Sequence, residues 1–286
     1  VVKLGTAFIP NSFSFRVTIS YFDKNEWVYL GRMRFLVTGA SGTIGKVLVE
    51  MLKARGDEVF AWDRQQVPIN DYYKMENFVK LIRPNALIHL AYTQEPDQSW
   101  FVNYEWASEL AWITRLLRIR FVFISTNLVF SHRQQGPFTI QSVPDATEGY
   151  GFEKRKSEAR VMQQNPESII ARLGWQISLT GGNSMIEYFR KKFKEEALIK
   201  ASLHWIPACS FVDHTAQKLI ELSENYLPGI CMIDSNTGRN VFEIACALNH
   251  QYNFNWSIQP SEDYGWDSRM LDERMQMPSL ESRLKF

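Results

Sequence analysis

Twelve residues, RFLVTGASGTIG from Arg34 to Gly45, restrict the fold of this chain more than any other stretch. Phe35, Leu36 and Val37 form a short apolar run suited to a strand buried on both faces, and Gly39, Gly42 and Gly45 follow at G-x-x-G-x-x-G spacing. Lys46 to Lys53 then reads as a helix. Glycines at these points permit a tight turn, close backbone approach to a pyrophosphate and close packing of helix on strand. The helix start turns free N–H groups toward the anion. The next strand, Glu58 to Trp62, runs into Asp63, about 20 residues on, where an acid would accept a hydrogen bond from a ribose hydroxyl. Together these features read as a dinucleotide site. Its expected residues are Gly39, Ser41, Gly42, Thr43, Ile44 and Gly45 in the loop, Asp63 and Arg64 at the ribose, and Ala91 at the end of the strand ALIHLAY. Asp63 repels a 2′-phosphate and Arg64 attracts one, which inclines an NAD(P)H site weakly toward NADH.

From Met33 to about Arg172 strand and helix patterns alternate. ALIHLAY is a strand, Val102 to Leu117 a helix and FVFIST another strand, so the expected class is α/β with a Rossmann-type doubly wound parallel sheet at residues 33–172. Residues 173–286 are expected to form a smaller C-terminal substrate lobe, with helices at Met185 to Glu196 and Asp213 to Glu224 and segments returning to the sheet. Residues 1–32 read either as sequence preceding a start at Met33 or as an extension, with FRVTISYF and EWVYLGR as a hairpin. At 286 residues and 45% hydrophobic the chain can bury a substantial core, and a formal net charge of +1 gives no electrostatic case for nucleic acid or a membrane surface. Cys209, Cys231 and Cys246 lack metal-site spacing and read as reduced core residues of a cytoplasmic protein. The scattered histidines, His89 among them, read as packing or surface residues, and no metal is expected.

The second signal is chemical. FVFIST delivers Ser125 and Thr126 to the C-terminal end of a strand, where ligands of open α/β sheets collect, and Tyr150 and Lys154 follow four residues apart, on one face of a helix. An ammonium beside a phenol favours the phenolate and brings the pair toward working range. A hydroxyl from Thr126 or Ser125 would hold a substrate carbonyl, Tyr150 would donate its proton, and Lys154 would also hold the nicotinamide ribose.

These residues resemble the extended short-chain dehydrogenase/reductases, and within them the dTDP-4-dehydrorhamnose reductase branch of sugar-nucleotide reductases. ISTNLVF resembles that branch's I-S-T-D-Y-V-F, PDATEGYGFEKRKSE its segment leading into Y-G-x-x-K-x-x-G-E, and IIARLGWQIS its I-x-R-x-S-W-V-Y strand. The resemblance implies Thr126 as the catalytic hydroxyl, Tyr150 as the acid and Lys154 as its partner. It also implies a C-terminal lobe that closes over a nucleotide-linked keto sugar, with NADPH or NADH as reductant and a homodimer admitted.

Departures fall on the substrate side. TQEPDQSWFVN is shorter than the family's loop after Tyr92, and SLHWIPA, Ser202 to Ala208, stands where the branch has D-Q-x-G-x-P-T. GWDSRML only partly matches R-P-x-N-S-x-L. Asn127 and Leu128 cannot supply the Asp-Glu pair of a 4,6-dehydratase. A 4-epimerase, or a non-catalytic subunit like the regulatory subunit of methionine adenosyltransferase, shares the core and stays open. With SLHWIPA in the substrate lobe, dTDP-4-dehydrorhamnose is expected to be a poor substrate.

Overall fold

Side chains alternate across a strand, so an uninterrupted apolar strand must feed two cores at once. Strand β1 (Arg34–Thr38) does this: Phe35 and Val37 pack on one side with Leu48, Leu52 and Leu219, whereas Leu36 packs on the other with Trp62, Met75 and Trp106. The computed structural model describes residues 32–93, 95–225 and 227–286. The hairpin expected within residues 1–32 lies outside them.

Five further strands join β1: β2 (Glu58–Ala61), β3 (Ala86–His89), β4 (Arg120–Thr126), β5 (Ile169–Leu173) and β6 (Gly229–Ile233). All pair in parallel, in the order β2-β1-β3-β4-β5-β6. Register is fixed by the buried faces and supported at the rim, where Arg34 opposes Glu58 and pairs with it at 3.2 Å. Between β1 and β3 the order reverses direction, which opens a crevice at their C-terminal ends.

Helix α1 (Thr43–Ala54) follows β1, α2 (Tyr72–Ile82) follows β2, and α3 (Trp106–Leu117) follows β3. The sequence places the start of this last helix at Val102. In the structure helical turns begin at Pro96 and pass through a π-helical stretch, Phe101–Glu105, before α3. Helix α4 (Gly149–Gln164) precedes β5, α5 is Met185–Glu196, α6 (Val212–Asn225) covers α1, and α7 is Val241–Tyr252.

Beyond β5 the chain builds a second core from Ile177, Met185, Phe189, Ile199, Phe211, Ile244, Leu248 and Trp256. Three two-stranded parallel pairs organise this region: Trp175–Ile177 with Cys209–Phe211, Ile199–Ile206 with Ile258–Asp267, and Phe138–Thr139 with Met270–Leu271. Strand β6 then returns to the main sheet. Cys209 and Cys231 are buried, Cys246 is half-buried, and all three are free thiols. Among the described residues no helix is long and apolar enough to cross a membrane.

Candidate active site

A cleft of about 1070 Å³ opens where the strand order reverses. Its lining begins with the β1–α1 loop, where α1 starts at Gly42 with no side-chain cap and no acid in its first turn. The first amides of α1 are thus left to an external acceptor. A Cβ on Gly45 would stand 2.2 Å from the Gly39 carbonyl oxygen, so only glycine lets the helix seat this close to the strand. At Gly42 a Cβ would meet only that same oxygen, at 3.2 Å. The space above Gly42 is open to a ligand, and this cradle of uncapped amides fits a pyrophosphate.

Every expected cofactor residue reaches this cleft: Gly39, Ser41, Gly42, Thr43, Ile44, Gly45, Asp63, Arg64 and Ala91. Asp63 is exposed and accepts from the Gln65 backbone N–H at 2.9 Å, which directs its carboxylate at the end of β2. Ala91 is positioned from below: the Thr38 hydroxyl oxygen accepts its N–H at 3.1 Å and lies 2.8 Å from His89 Nδ1. Burial, with Lys154 nearby, holds the His89 imidazole far below its ordinary range, and it stays neutral.

Thr126, Tyr150 and Lys154 line the same cleft. Thr126 ends β4, and its hydroxyl oxygen accepts from Leu128 N–H at 3.2 Å, which turns the chain into the short helix Asn127–Val129. That turn rests on α4 so closely that a Cβ on Gly151 would fall 2.0 Å from the Leu128 carbonyl oxygen. Glycine after Tyr150 therefore sets the approach of helix to strand end. Ser125, the alternative hydroxyl, donates to Glu158 at 2.5 Å, and Glu158 also accepts from Arg172 through Nε at 2.9 Å and Nη2 at 2.7 Å. Both residues line the cleft, but this buried triad occupies the Ser125 hydroxyl, whereas that of Thr126 makes only local contacts with Leu128 N–H and Asn127 Oδ1.

Lys154 is almost fully buried, and its Nζ donates to the Ile124 carbonyl at 2.8 Å. Burial pulls its pKa down to about 7, against the opposing pull of Glu158 and Glu153. Tyr150 goes the other way. Burial, with Tyr92 and Glu153 beside it, pushes its phenol well above 10. The sequence-based expectation that the lysine draws the phenol toward its phenolate is corrected here. Desolvation dominates at Tyr150, because Lys154 Nζ is turned to a backbone carbonyl.

The shifted lysine gives a stability test. Between about 7 and 10.5 the folded chain holds fewer protons on Lys154 than the unfolded chain, so this residue's contribution to stability rises with pH through that window. Relative to Lys154→Met, the wild type should gain about 1–2 kcal/mol between pH about 7 and about 9 in urea unfolding. A constant gap would mean that Lys154 stays charged.

The shortened segment after Tyr92 is anchored by Asn103, which lies in the π-helical stretch. Its amide oxygen accepts from Thr93 N–H at 3.0 Å, and its Nδ2 donates to Thr93 O at 3.0 Å and to Glu153 at 2.8 Å. Asn183 escaped the sequence reading. Its N–H donates to Thr43 Oγ1 at 2.9 Å and its Nδ2 to Tyr92 Oη at 2.8 Å, and the Tyr92 ring lies 5.5 Å from that of Tyr150. The preceding Gly181-Gly182 pair was the available signal. Trp175, Gln176, Trp205, Pro207, Ala208, Trp266 and Ser268 also line the cleft, so part of SLHWIPA does face it.

The family model described as RmlD substrate binding domain matches residues 33–223. The chain belongs to that family. The dTDP-4-keto-6-deoxy-D-glucose reductase of Streptomyces niveus is 29% identical over 205 residues, covering 69% of this chain and 71% of its own. Spore coat polysaccharide biosynthesis protein SpsK of Bacillus subtilis is 24% identical over 241 residues, covering 81% and 84%. In fold, the chain is similar to dTDP-4-dehydrorhamnose reductase of Bacillus anthracis, solved in complex with NADP. The TM-score is 0.78 at 23% identity, over 88% of this chain and 96% of that one. The parallel sheet is thus shared with that solved structure.

Proposed function

We propose that the chain is an NAD(P)H-dependent reductase of a nucleotide-linked keto sugar. The observation that carries this is the arrival of Thr126, Tyr150 and Lys154 in the same cleft as the uncapped start of α1. The S. niveus relative is named as a reductase of such a sugar, which supports the reading.

When bound, the nicotinamide supplies the hydride. The glycine loop and α1 would hold the pyrophosphate, Asp63 and Arg64 the adenosine ribose, and Lys154 the nicotinamide ribose. Thr126 orients the keto group through its hydroxyl. Tyr150, kept protonated by its buried setting, transfers its phenolic proton to the carbonyl oxygen as the carbon is reduced. Lys154, whose Nζ lies 5.9 Å from the centre of the Tyr150 ring, would favour the resulting phenolate by its charge.

The test is oxidation of NADH and NADPH against a panel of nucleotide-linked keto sugars. Turnover with one of them is expected, whereas cofactor binding without consumption across the panel would indicate a regulatory subunit. For the reductant, Asp63 supports NADH over NADPH by a few-fold. Asp63→Ala should erase that preference in calorimetric titrations, and a tenfold or greater wild-type preference for NADPH would show that Arg64 prevails.

A further inference from the structure

Thr126 pairs with Leu173 across the sheet, and Trp175 follows two residues later, so the wall beyond the reacting end of the cleft begins at Trp175. Trp205 stacks on it, with ring centroids 5.5 Å apart and planes 19° from parallel. Tyr264 meets Trp205 edge-on at 5.2 Å, and Trp266 lines the cleft close by. Trp205 stands at the Gly of the resembling branch's D-Q-x-G-x-P-T, whereas Trp175 matches that branch's own Trp.

Its polar groups are nearly all spent within the protein. Trp266 Nε1 donates to Gln134 O at 3.0 Å, Gln176 Nε2 donates to Gly174 O at 3.1 Å, and Ser268 Oγ accepts from Ala208 N–H at 3.2 Å while donating to Ile206 O at 3.4 Å. Two buried polar atoms of this wall have no hydrogen-bond partner among the described residues: Trp205 Nε1, a donor, and Gln176 Oε1, an acceptor. A sugar ring with a hydroxyl at every free carbon would lose more hydrogen bonds to water than one donor and one acceptor can replace. A ring lacking hydroxyls keeps its C–H face for the indoles and surrenders little.

Resting on the reductase reading above, we infer that Trp205 is a specificity-determining residue that selects a keto sugar poor in ring hydroxyls, stacked through its apolar face against the Trp175–Trp205 wall.

The experiment compares two nucleotide-linked 4-keto-6-deoxy hexoses on the same carrier. One bears hydroxyls on both carbons between the anomeric and keto carbons, and the other lacks one of them. With the full chain and saturating reductant, kcat/KM should favour the deoxygenated sugar by about tenfold or more, mainly through KM. Calorimetric binding of each sugar to the cofactor-free protein should give the same order. In Trp205→Ala the preference should shrink to within about threefold, with cofactor Kd unchanged, while Trp205→Phe, which keeps a ring at that place, should retain most of it. Equal treatment of the two sugars by the wild type, a preference for the hydroxylated one, or an undiminished preference in a folded Trp205→Ala each overturns the inference while leaving the reductase reading intact. If neither sugar is bound or reduced, the reductase reading fails, and the inference with it.

Discussion

Tyr150→Phe is expected to lower kcat by about 10²–10⁴-fold while cofactor Kd stays within about twofold of wild type. The ring remains, with its contact to Tyr92 at 5.5 Å, and α4 keeps Gly151 against the Leu128 carbonyl, so the cleft retains its shape. What disappears is the proton. Burial raises the phenol's pKa, so it is protonated at neutral pH, as an ordinary phenol also is, and it donates readily only where a neighbouring positive charge stabilises the phenolate. Steady-state reduction, set beside calorimetric titration of the cofactor, separates the two effects. A variant that reduces its substrate at close to the wild-type rate would show that another group, such as Thr126, supplies the proton.

The second large effect distinguishes two glycines of one loop. Gly42→Val should leave a folded protein, since a Cβ there meets only one carbonyl oxygen, at 3.2 Å, and the residue's φ of −74° suits any side chain. Its γ-methyl groups would occupy the space above the helix start. Dinucleotide affinity should fall by at least about a hundredfold, or roughly 2.7 kcal/mol. Gly45→Val should instead damage the fold, because its Cβ would stand 2.2 Å from Gly39 O and 2.8 Å from Ala40 Cα, both backbone. A loss of about 1–3 kcal/mol or more is expected from this overpacking. Thermal unfolding and cofactor titration of both variants test the contrast. Unchanged cofactor affinity in Gly42→Val would remove the pyrophosphate from this loop.

The first half of the fold was legible because its signals are local. The β1 loop and α1 are continuous in sequence, and Tyr150 and Lys154 share a helical face whatever surrounds them. Helix α5 matches its expected bounds, since an amphipathic period carries its own ends. What stayed hidden depends on distant partners. Ile199–Ile206 finds Ile258–Asp267 by pairing across a long intervening segment, and nothing in either run announces the other. Asn183 meets Thr43 across 140 positions. Trp205 reads from sequence as either a buried turn or a wall of the pocket, and only the fold brings it to the cleft beside Trp175. The pKa of Tyr150 was misjudged for a similar reason: spacing shows that a lysine is near, but not that its ammonium is occupied by Ile124 O.

Strand β6 joins the main sheet only after the chain has passed through Trp175–Ile177, α5 and α6. A fragment ending at Leu173 would therefore keep the glycine cradle and α4 yet leave β5 as a bare edge, the ladder groups that face β6 along Ile169–Leu173 unpaired. It would also strip Ala216, Leu219 and Ile220 from the core that α1 shares. An uncovered, strongly apolar edge of that kind recruits strands from other chains. A chain cut at Leu173 is thus expected to self-associate, because the strand and helix that protect this sheet, β6 and α6, are supplied by the second half of the sequence.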